Sequence, residues 1–245
     1  MSKIIFFDTE TTGNELKDFL VQIAYKVNDP SASLGASTFC ELYKPEIKIP
    51  PEASAVHHIT NKMVADKQTF QESPDYKKIK ALFEDPASVV IAHNAPFDLM
   101  IIEKEDIKPK KFICTLRLAR YLDKEEKIEQ YKLQYLRYFL DIEIDATAHD
   151  AMGDVLVLEK LFERLKNKIM REDGLNEDEA IEKMVEISSR PSIFTKLNFG
   201  KYKGKKIEEV LQLDRGWLEW LLREKEKGDQ VDEDWIYTLR HYLNK

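Results

Sequence analysis

The chain has 245 residues, 43% hydrophobic and 34% charged, which places it among folded globular proteins and excludes disordered and fibrous classes. With 38 basic and 45 acidic residues the net charge is −7, so bulk electrostatics alone would not draw the chain to a polyanion. The longest apolar runs, such as Ile4 to Phe7 and Val155 to Leu158, hold four residues, far below the roughly 18 that a membrane helix needs, and no membrane partner is expected. Cys40 and Cys114 are the only cysteines, and the first residues lack the zones of a secretory signal, which together predict a cytoplasmic location.

Lys3 to Phe7, rich in Ile and Phe without alternation, predicts a central strand buried on both faces. Phe19 to Val27 and Ser37 to Tyr43 alternate apolar with polar and predict two antiparallel strands, followed by a loop through Pro45, Pro50 and Pro51. Thr60 and the Ser73-Pro74 pair are helix-start signals. Ser88 to Ala92 predicts a strand leading to Asn94, which would cap a helix from about Pro96 to Glu105. Phe112 to Cys114 predicts a short strand, with Thr115 capping the next helix. Further helices are expected over Lys132 to Leu140 and Asp150 to Leu165, the second with Val155, Leu158, Leu161, Phe162 and Leu165 on one face.

Three early strands followed by alternating helices and strands define an α/β protein: a mixed β-sheet flanked by helices. That domain is expected to span residues 1–168, with 169–190 as a linker helix opened by the capping-box spacing of Asn176 and Glu179. Residues 191–245 hold all three tryptophans, Trp217, Trp220 and Trp235, and form a small, mainly helical C-terminal domain. Charge is unevenly distributed at this junction: Glu172 to Glu186 is strongly acidic, whereas Arg190 to Lys206 carries six basic residues and no acidic one.

The most informative segment runs from Phe7 to Gly13, where a buried strand ends in two acids. Period-two geometry places Asp8 and Glu10 on the same face. Two carboxylates held together at a sheet centre repel and are costly to desolvate unless a cation neutralises them, and oxygen ligands select hard ions, Mg²⁺ or Mn²⁺. Asp98 and Asp154 each fall in the first turn of a predicted helix, and His149 precedes Asp154 by five residues. Two divalent ions would balance four such carboxylates, which is the requirement for two-metal phosphodiester hydrolysis. A histidine of near-neutral pKa can take the proton from the attacking water. His93, between Ala92 and Asn94, reads as a satisfied structural histidine.

These residues lie in segments that resemble the three exonuclease motifs of the DEDDh family: FFDTETTG at 6–13, IAHNAPFD at 91–98 and HDAMGD at 149–154. The resemblance implies a ribonuclease H-like fold and 3′→5′ release of nucleoside monophosphates. It also implies metal ligation by Asp8, Glu10, Asp98 and Asp154, with His149 as general base. The segment VHHIT at 56–60 is similar to the family's H-x-I-T element, which implies that His57 and Ile59 line the pocket of the terminal nucleotide. Family position likewise implies that Thr9 and Thr11 contact that nucleotide.

In the tail, Phe194, Phe199 and Tyr202 interleave with Lys196 and Lys201, a mix suited to phosphates and stacked bases. Lys201, Lys203 and Lys205 lie in GKYKGKK at 200–206, which is not a P-loop because only three residues separate its glycines. Trp217 and Trp220 fit the core of a mini-domain better than a stacking platform. The tail RPSIFTKLNFGKYKGKKIEEV with DRGWLEWLL, and ICTLRLARYL at 113–122, resemble the bacterial exodeoxyribonuclease X family. This implies a distributive deoxyribonuclease acting on single-stranded and duplex 3′ ends in repair and recombination. In that family the loop after the first motif helps to split the terminal base pair. Here the loop from Asn14 to Phe19 is about two residues longer, and Leu16 is the candidate wedge. An RNA-trimming exonuclease and a catalytically inactive DNA-end-binding scaffold remain the alternatives, since contacts to a 2′-hydroxyl leave no mark in motif spacing.

Overall fold

The computed structural model describes residues 2–29, 37–144, 151–227 and 232–244, which form two compact units, 1–189 and 190–245. The first unit is built on a five-stranded mixed sheet in the order β3-β2-β1-β4-β5. Its strands are β1 (Lys3–Thr11), β2 (Leu20–Asn28), β3 (Ser37–Leu42), β4 (Ser88–Ala92) and β5 (Phe112–Cys114). β1 pairs antiparallel with β2 and parallel with β4, so it is paired on both edges as its apolar run requires. Every residue of β4 is buried.

Alternation along β1 sends its side chains into two separate cores. Phe6 meets α6 (Ala151–Asp173), where its ring packs edge-on against Phe162 at 5.3 Å. Ile5 and Phe7 face the other way, and Phe7 packs edge-on at 5.2 Å against Phe83 of α2 (Tyr76–Glu84). α6 is also tied to β2 by Lys26 and Asn28, which donate to Glu159 at 2.6 and 3.0 Å. The remaining helices of this unit are α1 (Pro51–His57), α3 (Ala95–Lys104), α4 (Thr115–Leu122), α5 (Leu133–Phe139) and α7 (Glu177–Ser188).

Several sequence expectations shift. The helix expected after Thr60 lies before it: Pro51 opens α1 as its first residue, a position where the missing N–H costs nothing, and 61–66 form turns instead. Asn94 does not cap α3 through its side chain but turns the chain in a left-handed conformation, φ 66°. The expected boundary at residue 168 falls inside α6, which continues to Asp173. The expected linker 169–190 belongs to the first unit up to Ser189. The physical reason is burial: Ala180, Ile181 and Met184 of α7 join the core around α6. The Ser188 hydroxyl accepts from the Cys114 amide at 2.8 Å, and the Ser188 carbonyl accepts from Arg117 at 2.7 Å. The capping box at Asn176 and Glu179 is formed, with both bonds present.

The second unit holds α8 (Ile207–Leu213), α9 (Arg215–Lys227) and α10 (Glu233–Leu243) behind a turn closed by a bridge between Lys196 and Lys206. Trp235 is its centre, with Phe194 at 4.4 Å and Phe199 at 4.9 Å. Gly200 takes φ +70° with the Trp217 ring 3.1 Å from where a Cβ would stand, so both backbone angle and space demand glycine. Among the described residues no helix is long and apolar enough to cross a membrane.

Because the buried Phe162 ring is one of the contacts that seat α6 on the sheet, Phe162→Ala is expected to cost roughly 3–5 kcal/mol, read as a lowered urea midpoint with unchanged slope. A midpoint equal to wild type would show that this contact does not seat the helix.

Candidate active site

The two faces of β1 carry different chemistry at its C-terminal end. Asp8 and Glu10 continue the side of Phe6 and so project toward α6, whose first turn supplies Asp154. Oxygens of Asp8, Glu10 and Asp154 lie within 4.8 Å of one another, an arrangement able to hold a metal ion. Thr9 continues the opposite side and meets α3: its amide and hydroxyl both donate to Asp98 Oδ1, at 3.2 and 2.7 Å. These two bonds leave Asp98 Oδ2 for another partner. Just beyond, the β1–β2 register slips between Glu10 and Thr11, a bulge that ends regular pairing beside the acids.

Electrostatics mark the cluster as incomplete without a cation. Burial, then the charges of Asp98, Glu10 and Asp154, hold the Asp8 carboxyl well above its ordinary range. Burial pushes Asp98 up to about 7 against the Thr9 hydrogen bonds that favour its charged form. An all-oxygen donor set whose members repel one another fits a hard divalent ion and no thiophilic one.

The loop after β1 is braced from within. Asp18 accepts from the Thr12 hydroxyl and the Glu15 amide, both at 2.8 Å, and Thr12 accepts in turn from the Phe19 amide at 3.1 Å. A Cβ on Gly13 would stand 2.5 Å from the Asp18 carboxylate, so any other residue there would have to displace Asp18 from the bonds that brace the loop. From α3, Lys104 donates to the carbonyls of Leu16 and Asp18 and lies 4.5 Å from the centre of the Phe19 ring. Leu16 stands at the crest of this braced turn, 52% exposed. Neither Asp18 nor Lys104 was legible as part of the site, because their roles come from contacts across the fold.

The other candidates are placed as follows. His57 ends α1 and is buried; its Nδ1 accepts from the Ile59 amide at 3.0 Å and its Nε2 has no hydrogen-bond partner among the described residues. Burial lowers its pKa, only partly offset by the nearby Thr11 carbonyl. The Ile59 side chain is core, packed with Val21, Ile49, Ala53 and Val64. The Thr11 hydroxyl bonds the Gly13 carbonyl at 2.5 Å. His149 lies outside the described residues. In the second unit Lys203 and Lys205 are exposed, whereas Lys201 pairs with Asp214 at 3.1 Å. The expected stacking aromatics are not available as a platform: Phe194, Phe199 and Tyr202 pack into the hydrophobic centre of the unit. Trp220 is the tryptophan left 47% exposed.

A family model described as "Exonuclease" matches residues 5–162, and a second, "Exodeoxyribonuclease X-like C-terminal", matches residues 197–226. Exodeoxyribonuclease 10 of Escherichia coli K12 is 32% identical over 239 residues, covering 96% of each chain. The DNA polymerase III subunit epsilon of Treponema pallidum is 31% identical over 165 residues, covering 64% of this chain and 73% of that one. Among solved structures, exonuclease X in complex with 5′ overhanging duplex DNA matches with a TM-score of 0.57 at 26% identity, covering 76% of this chain and 99% of the other. The chain belongs to the exonuclease family, with the ribonuclease H-like fold that its motifs imply. Within it the chain is a 3′→5′ exonuclease similar to exodeoxyribonuclease X.

The raised carboxyls predict a pH signature for the metal-free protein. A carboxyl whose folded pKa exceeds its unfolded value binds more protons in the folded state, so stability falls as pH rises from its unfolded pKa to its folded one. His57 and His93, both lowered, act oppositely, adding stability as the unfolded imidazoles lose their protons around pH 6.5 and for about a unit above it. Those histidines are common to wild type and Asp98→Asn, so between about pH 6 and pH 8, in EDTA, the wild-type melting temperature should fall relative to that of Asp98→Asn, and Asp98 is the source of this excess fall. An equal fall in the variant would remove Asp98 as its source.

Proposed function

We propose that the chain is a metal-dependent exodeoxyribonuclease that shortens single-stranded and duplex DNA from 3′ ends, releasing nucleoside 5′-monophosphates, in repair or recombination. One observation carries the choice of DNA: the likeness to an exodeoxyribonuclease extends over both units, including the C-terminal match at residues 197–226.

In this reading Asp8, Glu10, Asp98 and Asp154 hold two Mg²⁺ or Mn²⁺ ions. When bound, the ions lower the pKa of a water and stabilise charge on the phosphate in an in-line displacement. Thr9 keeps Asp98 oriented through two bonds to one oxygen, which leaves the other for a cation. His149 takes the proton of the attacking water on an imidazole nitrogen. His57, backed at Nδ1 by the Ile59 amide, offers Nε2 to the terminal nucleotide, and Thr11 lines the same pocket. Leu16, held out by the braced loop, inserts beside the terminal base pair of a duplex end. Lys203 and Lys205 meet backbone phosphates, while Lys201 serves its own fold by pairing with Asp214.

The deciding experiment is a time course on matched 5′-labelled single-stranded DNA, blunt duplex DNA and single-stranded RNA, with Mg²⁺ or EDTA. Ladders that shorten from the 3′ end on both DNAs in Mg²⁺, and vanish in Asp8→Ala, are expected; RNA cut as fast as DNA would move the substrate assignment to RNA. His149→Ala should fold normally and lose roughly 10²-fold or more in rate, the range of a general base. Full activity at neutral pH in that variant would refute its role. Leu16→Ala should slow duplex ends and spare single strands; equal rates on both substrates would sink the wedge. Lys203→Ala with Lys205→Ala should lower the salt dependence of DNA binding by about one ion per lysine, and an unchanged slope would return them to the solvated surface.

A further inference from the structure

A side chain outside the three motifs touches the acidic cluster. Gln134, in the first turn of α5, donates from Nε2 to Oδ1 of Asp154. Its other amide atom, Oε1, is buried with no hydrogen-bond partner among the described residues. Burying an acceptor without a partner costs stability, so the side chain is held in place at a net disadvantage on that atom. Packing alone does not explain a polar amide there, since Leu133 and Leu136 on either side supply the apolar contacts of the helix.

α5 is fixed at both ends. At its start the Tyr131 carbonyl lies 2.7 Å from His93 Nε2, and His93 Nδ1 lies 2.9 Å from the Thr115 hydroxyl. A carbonyl only accepts, so Nε2 carries the proton and Nδ1 accepts from Thr115, which fixes one neutral tautomer. At its end, Arg164 of α6 donates to the carbonyls of Leu140 and Asp141. The short helix is thereby braced to β4, α4 and α6, with Gln134 presented to Asp154.

We propose that Gln134 is a positioning residue that holds the Asp154 carboxylate in its metal-binding orientation. This rests on the metal-dependent reading of the acidic cluster. A neutral amide suits the task for a charge reason. Lys or Arg at this position would orient Asp154 equally well but would neutralise it and compete with the cation, whereas an amide donates without adding charge. Partners that orient a metal ligand in this way typically contribute 10–100-fold to metal affinity.

The test is direct Mn²⁺ binding by titration calorimetry on the full chain, without substrate, for wild type, Gln134→Met, Gln134→Ala and Asp154→Ala. Met preserves the length and volume of Gln and removes its donor, so a packing role would be rescued by Met and a donor role would not. Gln134→Met and Gln134→Ala are expected to bind Mn²⁺ about 10-fold more weakly than wild type. Both should retain the wild-type melting temperature in EDTA to within a few degrees, and saturating metal should restore most of the hydrolysis rate. Wild-type Mn²⁺ affinity in Gln134→Met, with weakened binding in Asp154→Ala, would overturn the role of Gln134 while leaving the metal site standing. Failure of the wild type to bind Mn²⁺ would overturn the metal reading and this inference together.

Discussion

Four carboxylates brought to the end of one buried strand is the constraint around which the first unit is arranged. Asp8 is raised by its own burial and by the charges of three neighbours, so the cluster is costly to ionise without a compensating cation. A fold can tolerate such a site only where the backbone is otherwise over-determined. β1 meets that condition: it is paired on both edges, and Ile5, Phe6 and Phe7 are fully buried just before the first acid. The strain of the charges is thus placed at the end of the most firmly held strand, and local relaxation that would separate the acids would have to break the sheet.

The pleat then divides the work. Even-numbered positions of β1 pass from Phe6 to Asp8 and Glu10 on the α6 side, and odd ones from Phe7 to Thr9 on the side of α3. Asp154 therefore comes within ligand distance of Asp8 and Glu10 directly, while Asp98 joins through Thr9. A one-residue slip of β1 would exchange these faces and dissolve the site, so the register that buries the phenylalanines is the same register that assembles the acids.

Legibility in the sequence followed the same division. Asp8, Glu10, Asp98 and Asp154 were readable because each is set by local geometry, a strand end or a first helical turn, and because they sit in recognisable segments. The strands β4 and β5 were readable from short apolar runs bounded by breakers. What was not readable depends on contacts between distant residues. Thr60 has a good capping side chain, but the helix formed one step earlier, where Pro51 fixes the backbone for its first turn. The acidic segment around α7 looked like a linker, yet Ala180, Ile181 and Met184 hide a core face behind its charges. Phe194 and Phe199 looked like stacking rings among lysines until Trp235 took both into its shell. In the last two cases tertiary burial overrode a local signal that was itself correct in kind, and in the first a second local signal did.

Charge sets the last relation between the parts. The chain is net acidic, and its active cluster adds negative charge where a phosphate would have to approach. On the proposed function, substrate can enter only after the cluster has been neutralised, so the orientation of its carboxylates matters more than their number. Neutral donors are therefore the suitable supports: Thr9 on Asp98 and Gln134 on Asp154 orient without cancelling the charge the cations need. Cationic side chains are kept to other tasks, Lys104 bracing the Leu16 loop and Lys201 paired with Asp214. On the same proposal the exposed Lys203 and Lys205 would supply attraction for a polyanion in a unit of its own, and metal affinity could be tuned at the acids without loosening the hold on the strand.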